Sequence, residues 1–138
     1  MSGMDESAKT VLKDARAVAK ERGAGNAEPL DVFVAALRTS REVEALVGSP
    51  HRLSWEELVK EATADAPRRG LGRLLPRPIG FDDRAKAASV RAVALAVDSA
   101  VSARHLAAAA LEQDDARLNE YLEAHGTSWN RLVAILVS

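Results

Sequence analysis

A short signature occurs twice in this chain. Ser54-Trp55-x-x-Leu58-Val59 is repeated as Ser128-Trp129-x-x-Leu132-Val133, 74 residues later, and the two copies use both of the protein's tryptophans. Leu37 and Leu111 are separated by the same 74 residues, and Met4-Asp5-Glu6-Ser7-Ala8-Lys9 matches Phe81-Asp82-Asp83-Arg84-Ala85-Lys86 at an offset of 77. The difference of three residues is expected in the loop after the first helix, near Gly23 to Asn26. Self-similarity at a fixed spacing constrains the fold more than composition does, because each copy must be one structural unit that covers the other's apolar face. In 138 residues, about one domain's worth, there is room for two such units and little else.

The unit is helical. Aromatic residues make up only 4% of the chain, and alanine, valine and leucine carry its hydrophobicity, a bias that favours helix over strand. Ala8, Leu12, Ala15 and Ala19, with Val11 and Val18 beside them, recur at the spacing of one helix face. Glycines 23 and 25 stop that helix and Glu28-Pro29 restarts the chain, since proline fits a first helical turn. Leu30 to Leu37 follows, then a shorter helix through Val43, Leu46 and Val47 that ends at Gly48. Ser54 with Glu57 reads as a capping box opening a helix from Trp55 to Ala64. From Asp65 to Gly80, three prolines and three glycines interrupt any helical stripe and mark a connector. Caps at Asp82, Ser102 and Ser128 then open helices to about Asp98, to Leu111 and over Trp129 to Val137, with another from Ala116 to Ala124 stopped by Gly126. The expectation is an all-α fold of two pseudo-twofold-related four-helix repeats, about eight helices with no convincing strand. Residues 1–138 form a single domain in this reading: repeat one over about 4–64, a Pro/Gly/Arg-rich connector over 65–80, and repeat two over 81–138.

Composition narrows the function. The absence of cysteine excludes disulfides, thiolate metal sites and thiol chemistry. The polar, acidic start and the lack of any apolar run near the ~20 residues of a membrane helix predict a cytoplasmic protein with no membrane partner. A net charge of −1 gives no general nucleic-acid signature. His51, His105 and His125 are scattered, with no companion ligand at i+4, so no metal is expected. No Ser, His and Asp grouping has the spacing of a triad, and no Gly-x-x-x-x-Gly-Lys-Ser/Thr loop is present. The expectation is a protein that is not an enzyme and needs no cofactor.

Phe81-Asp82-Asp83-Arg84-Ala85-Lys86, an alanine-rich helix, and Ala103-Arg104-His105-Leu106 through Leu111 together resemble the second repeat of the Clp N-terminal domain. This is the double four-helix module at the front of Clp-type AAA+ unfoldases, and the likeness is greatest to the ClpC and ClpA group. It spans about residues 4 to 138, and repeat one is more diverged, with Met4 in place of a phenylalanine. The resemblance implies a non-catalytic peptide- or protein-binding module. Its expected partners are a Clp-type unfoldase, its adaptors or substrates, or cyclic peptides. Its expected role is adaptor, decoy or sequestering protein, acting as a monomer.

By motif position, the resemblance carries the binding surface to Met4, Lys9 and Leu12 in repeat one and to Phe81, Lys86 and Ser89 in repeat two. Met4 and Phe81 also read as hydrophobic staples ahead of helix caps. Some relatives receive phosphorylated arginine on a glutamate in each Thr-Glu-His segment. Here Leu30 and Arg104 occupy those positions, and neither can accept a guanidinium's hydrogen bonds. The tryptophans are read as covers for the ends of their own repeats. The alternative to a Clp-like binder is a helical nucleic-acid-binding regulator using the basic connector, where Arg68, Arg69, Arg73 and Arg77 face only Asp65. The plainer reading of that segment is a linker held to the domain by Leu71, Leu74 and Leu75.

Overall fold

Asp5 and Asp82 start two helices in the same way. In the computed structural model, which describes residues 3–65, 80–97 and 99–137, the Asp5 carboxylate accepts the Ala8 N–H at 2.9 Å and the Asp82 carboxylate accepts the Ala85 N–H at 2.7 Å. Each satisfies one of the free amides at a helix start. The helices they open are α1 (Glu6–Glu21) and α5 (Asp83–Ala96). Ala8, Val11, Ala15 and Ala19 of α1 are buried, as are their counterparts Ala85, Ala88, Ala92 and Ala96 of α5.

The next two helices also correspond. α2 (Pro29–Thr39) is capped by Glu28 with Asp31 reaching back, and α6 (Ala103–Leu111) by Ser102 with His105 reaching back. Both are buried almost all round, as central helices must be. They pack on each other, with α1 laid on α2 and α5 on α6. α3 (Arg41–Val43) runs directly into a π-helical segment, Glu44–Gly48, opposite α7 (Ala116–Ala124) in repeat two. α4 (Trp55–Asp65) and α8 (Trp129–Val137) complete the two quartets.

Two details of the repeat differ from the sequence reading. α1 has 16 residues and α5 has 14, so the offset change comes mostly from the end of the helix and only in part from the loop. His51 and His125, expected to be scattered, are repeat equivalents. Nδ1 of each lies against the carbonyl four residues back, Val47 at 3.0 Å and Tyr121 at 2.8 Å.

The expectation of no strand is corrected. β1 (Asn26–Ala27) pairs in parallel with β2 (Gly80–Phe81), and Met4 makes a matching parallel bridge to Val101. The Asp82 N–H donates to the Ala27 carbonyl at 3.0 Å and the Asp5 N–H to the Val101 carbonyl at 2.9 Å. Pairings of two residues are too short to show alternation in a sequence. Their topology is informative: the leading segment of each repeat is bonded to the loop before the second helix of the other. Ser7 Oγ adds to one of these exchanges by accepting the Ala103 N–H at 3.0 Å. The connector's Arg68, Arg69, Arg73 and Arg77, and its leucines, lie outside the described residues.

Candidate functional site

Met4 and Phe81 occupy equivalent places, each on an exchanged strand just ahead of a helix cap. Both pack against the core and both stay half-open to solvent. They therefore act as anchors for their own helices without being sealed. Phe81 turns its ring toward α1, where the Arg16 guanidinium stands 5.9 Å from the ring centroid, within cation–π reach.

The other four predicted residues lie on the same two helices. Lys9 is exposed, with Glu6 at 3.5 Å, a surface contact of little energetic weight. Lys86 is exposed on α5. Leu12 is half-buried against the core, and its counterpart Ser89 donates back to the Ala85 carbonyl at 3.3 Å. The structure thus sets four of the six residues on corresponding stretches of α1 and α5, and Met4 and Phe81 on the segments that lead into them.

Residues that the sequence reading passed over extend both faces. On α1, Lys9, Lys13, Arg16 and Lys20 follow one another at the spacing of a single helix face, all exposed. At the corresponding positions of α5 stand Lys86, Val90, Val93 and Val97, and the three valines are 73%, 49% and 72% exposed. The two faces begin alike, with a lysine each, and then part: one is cationic and the other apolar. The signal was present in the i, i+4, i+7, i+11 spacing that starts from each lysine. Val97 also closes α5 with φ 52°, a conformation in which a β-branched residue is strained.

Leu30 and Arg104 stand where the Clp-type pattern of the sequence analysis places glutamates. Leu30 is 1% exposed, and Arg104 is half-buried, with Nε 3.6 Å from a Glu42 carboxylate oxygen and Nη1 donating to the Leu136 carbonyl. Neither position carries a carboxylate. Next to Arg104, burial and then the Arg104 charge hold the His105 imidazole below its ordinary pKa, and Nδ1 accepts the Ser102 N–H at 3.0 Å. His105 is a neutral capping group.

The densest polar cluster lies at the other end of α1 and is structural. Arg22 holds both Asp31 carboxylate oxygens at 2.7 Å and Glu28 at 2.5 Å, and Glu28 reaches Arg117 of repeat two at 2.9 Å. Burial pushes the Asp31 carboxyl upward against the pull of Arg22. Burial acts on Glu28 in the same direction but is outweighed by the hydrogen bond and charge of Arg22, and then by Arg117, which leave it below the usual range. Among the described residues, no group of three or more His, Cys, Asp or Glu side chains could hold a metal ion, and no helix is long and apolar enough to cross a membrane.

The sequence reading of the tryptophans and of the Ser54 cap needs adjustment. Trp55 is half-buried under the Arg38 guanidinium at 5.1 Å, whereas Trp129 is 40% exposed and covers little. Ser54 Oγ accepts the Glu57 N–H, but the return half of the box is replaced: the Tyr121 hydroxyl accepts the Ser54 N–H at 2.7 Å and lies 3.2 Å from Glu57. Burial, foremost, raises that phenol to about 12.

This arrangement, two exchanged helical quartets with their first helices presenting outer faces, is the fold of Clp-type N-terminal domains. The chain is similar to the Hsp104 N-terminal domain from Candida albicans, with a TM-score of 0.76 and 19% identity over 99% of this chain and 91% of that one. It is equally similar in structure to the N-terminal domain of the caseinolytic protease associated chaperone ClpD from Arabidopsis thaliana, at TM-score 0.76 and 16% identity over 97% and 92% of the two chains. No family model matches the sequence. No curated protein matches it either.

Proposed function

We propose that this chain is a non-catalytic peptide- or protein-binding module that recognises its ligand on the outer faces of α1 and α5. It serves in the cytoplasm as an adaptor, a decoy or a sequestering protein for Clp substrates, adaptors or peptide antibiotics. The observation that carries this reading is the pair Met4 and Phe81: two large apolar side chains at equivalent repeat starts, each fixed by strand exchange and each left half-open. A domain that needed them only as staples could cover them completely. The likeness to N-terminal domains of chaperones supports the same reading.

In this proposal Met4, Phe81 and Leu12 supply apolar contact, while Lys9, Lys86 and Ser89 border it with polar groups. The test is calorimetric titration of the full chain with a Clp-type unfoldase, its adaptors and a cyclic peptide. At least one should bind, and Phe81→Ala should weaken that binding about tenfold or more, as removal of a central aromatic anchor does. The variant should keep its helical circular dichroism and melt at a somewhat lower temperature, because half of the ring packs against the core. Binding unchanged by the substitution would remove Phe81 from the site, and no binding by any of the three would end the proposal.

A further inference from the structure

The geometry points to a ligand of two-sided chemistry: a peptide segment with carboxylates along one side and apolar residues along the other. The acidic side lies on α1 and the apolar side on α5. This rests on the binding role proposed above and specifies its substrate class.

Three observations lead there. Lys13, Arg16 and Lys20 make no ion pair among the described residues, although α1 also carries Asp14 and Glu21. Those two carboxylates are drawn to Arg38 instead, at 2.6 Å each. The cationic face is thus left unneutralised on a protein whose net charge is −1. Facing outward at the matching positions of α5, Val90, Val93 and Val97 account for three of the five large apolar side chains that the described surface exposes. Exposed apolar residues gathered on one element, rather than scattered, mark an interaction surface. Finally, Val97 holds a positive φ at a helix end where glycine is the unstrained choice, and its side chain is buried against nothing. Packing gives no reason for a valine there, whereas an apolar contact surface does.

The segment that leads into α5 lies beside α1. Phe81, immediately before the α5 cap, meets α1 at Arg16. Each face runs from its lysine for about three helical turns, close to 16 Å. A second copy of this chain fits poorly, because laying α1 of one molecule on α5 of another sets cations on valines. A membrane-surface helix carries its cations and its apolar stripe on one helix, whereas here they are divided between two.

The experiment uses fluorescence anisotropy with the full chain and three synthetic helical peptides of about three turns. All have leucines along one side; the other side carries glutamates, glutamines or lysines. The glutamate peptide should bind about tenfold tighter than the glutamine peptide, with the lysine peptide weakest. Lys13→Glu combined with Lys20→Glu should invert that order, and Val90→Ser with Val97→Ser should weaken all three. These side chains are exposed, so circular dichroism should show the fold retained. An order insensitive to the charge reversal overturns the inference. So does sedimentation with phosphatidylglycerol vesicles in place of peptide binding, or a dimer that Val90→Ser with Val97→Ser dissociates. If Clp partners bind through Phe81 while the three peptides are not distinguished, the inference falls alone. If neither partners nor peptides bind, the binding role falls with it.

Discussion

The two repeats hold the same ion pair with its signs exchanged. In repeat one, Arg38 on α2 grips Asp14 on α1 at 2.6 and 2.9 Å; in repeat two, Glu112, just past α6, accepts from Arg91 on α5 at 2.7 Å. The positions correspond, and so does the tie between first and second helix. Sign is free at such a pair, but what each sign can recruit is not. An arginine at position 38 also takes Glu21 at 2.6 Å and stacks over Trp55. A glutamate at position 112 can do neither, since a carboxylate is not attracted to an aromatic face. Trp129 is correspondingly bare. Repeat one has become a polar, heavily bonded half. Repeat two has become the plainer half, with Ala107 and Ala108 on α6 where α2 has Phe33 and Val34.

The sharpest break in that comparison is at the capping partners of the central helices. Asp31→Ala should cost about 3 kcal/mol, because it removes the bidentate partner of the buried Arg22 guanidinium and leaves it only the half-buried Glu28. Its repeat-two counterpart, His105→Ala, removes a neutral capping group and should cost about 1 kcal/mol. Urea denaturation of both variants checks the pair, and equal losses would mean that the halves are not differently built.

A smaller effect is expected at the centre. Ala107→Phe gives α6 the residue that α2 carries and should cost about 1–3 kcal/mol, since the close approach of α6 leaves no room for a second ring. If the melting temperature rises instead, the centre is not filled from one side.

The smallest concerns the exchanged pair. Asp14→Arg and Arg38→Glu should each destabilise the protein singly, and together recover up to about 1 kcal/mol of coupling in a double-mutant cycle, because the pair is partly exposed. Trp55 fluorescence should shift toward that of an exposed indole in the double variant. A cycle with no coupling would make the sign exchange incidental.

The helices and the duplication were legible in the sequence because both rest on local chemistry: period, caps and stops. Asp82, Ser102, Gly48 and Gly126 each act within a few residues of themselves. The features that escaped depend on residues far apart. The Ala27–Phe81 and Met4–Val101 pairings have no periodicity, and the partner of Ser54 is a tyrosine 67 residues away. The ion cluster joins Arg22, Glu28 and Arg117, of which only the first two are neighbours in the chain. For the candidate site, the anchors Met4 and Phe81 were legible from the repeat. The divergence of Lys13, Arg16 and Lys20 from Val90, Val93 and Val97 needed the two copies compared position by position along the whole helix.

The reciprocal strand exchange bears on how such a protein could arise. A single quartet would leave both its leading segment and the loop before its second helix without the partners they have here, and a second quartet supplies both. Holding the two quartets in one chain turns an encounter between molecules into an intramolecular closure. Once the halves were covalently joined, each could mutate without the other having to follow, which is the freedom that a cationic helix opposite an apolar one records.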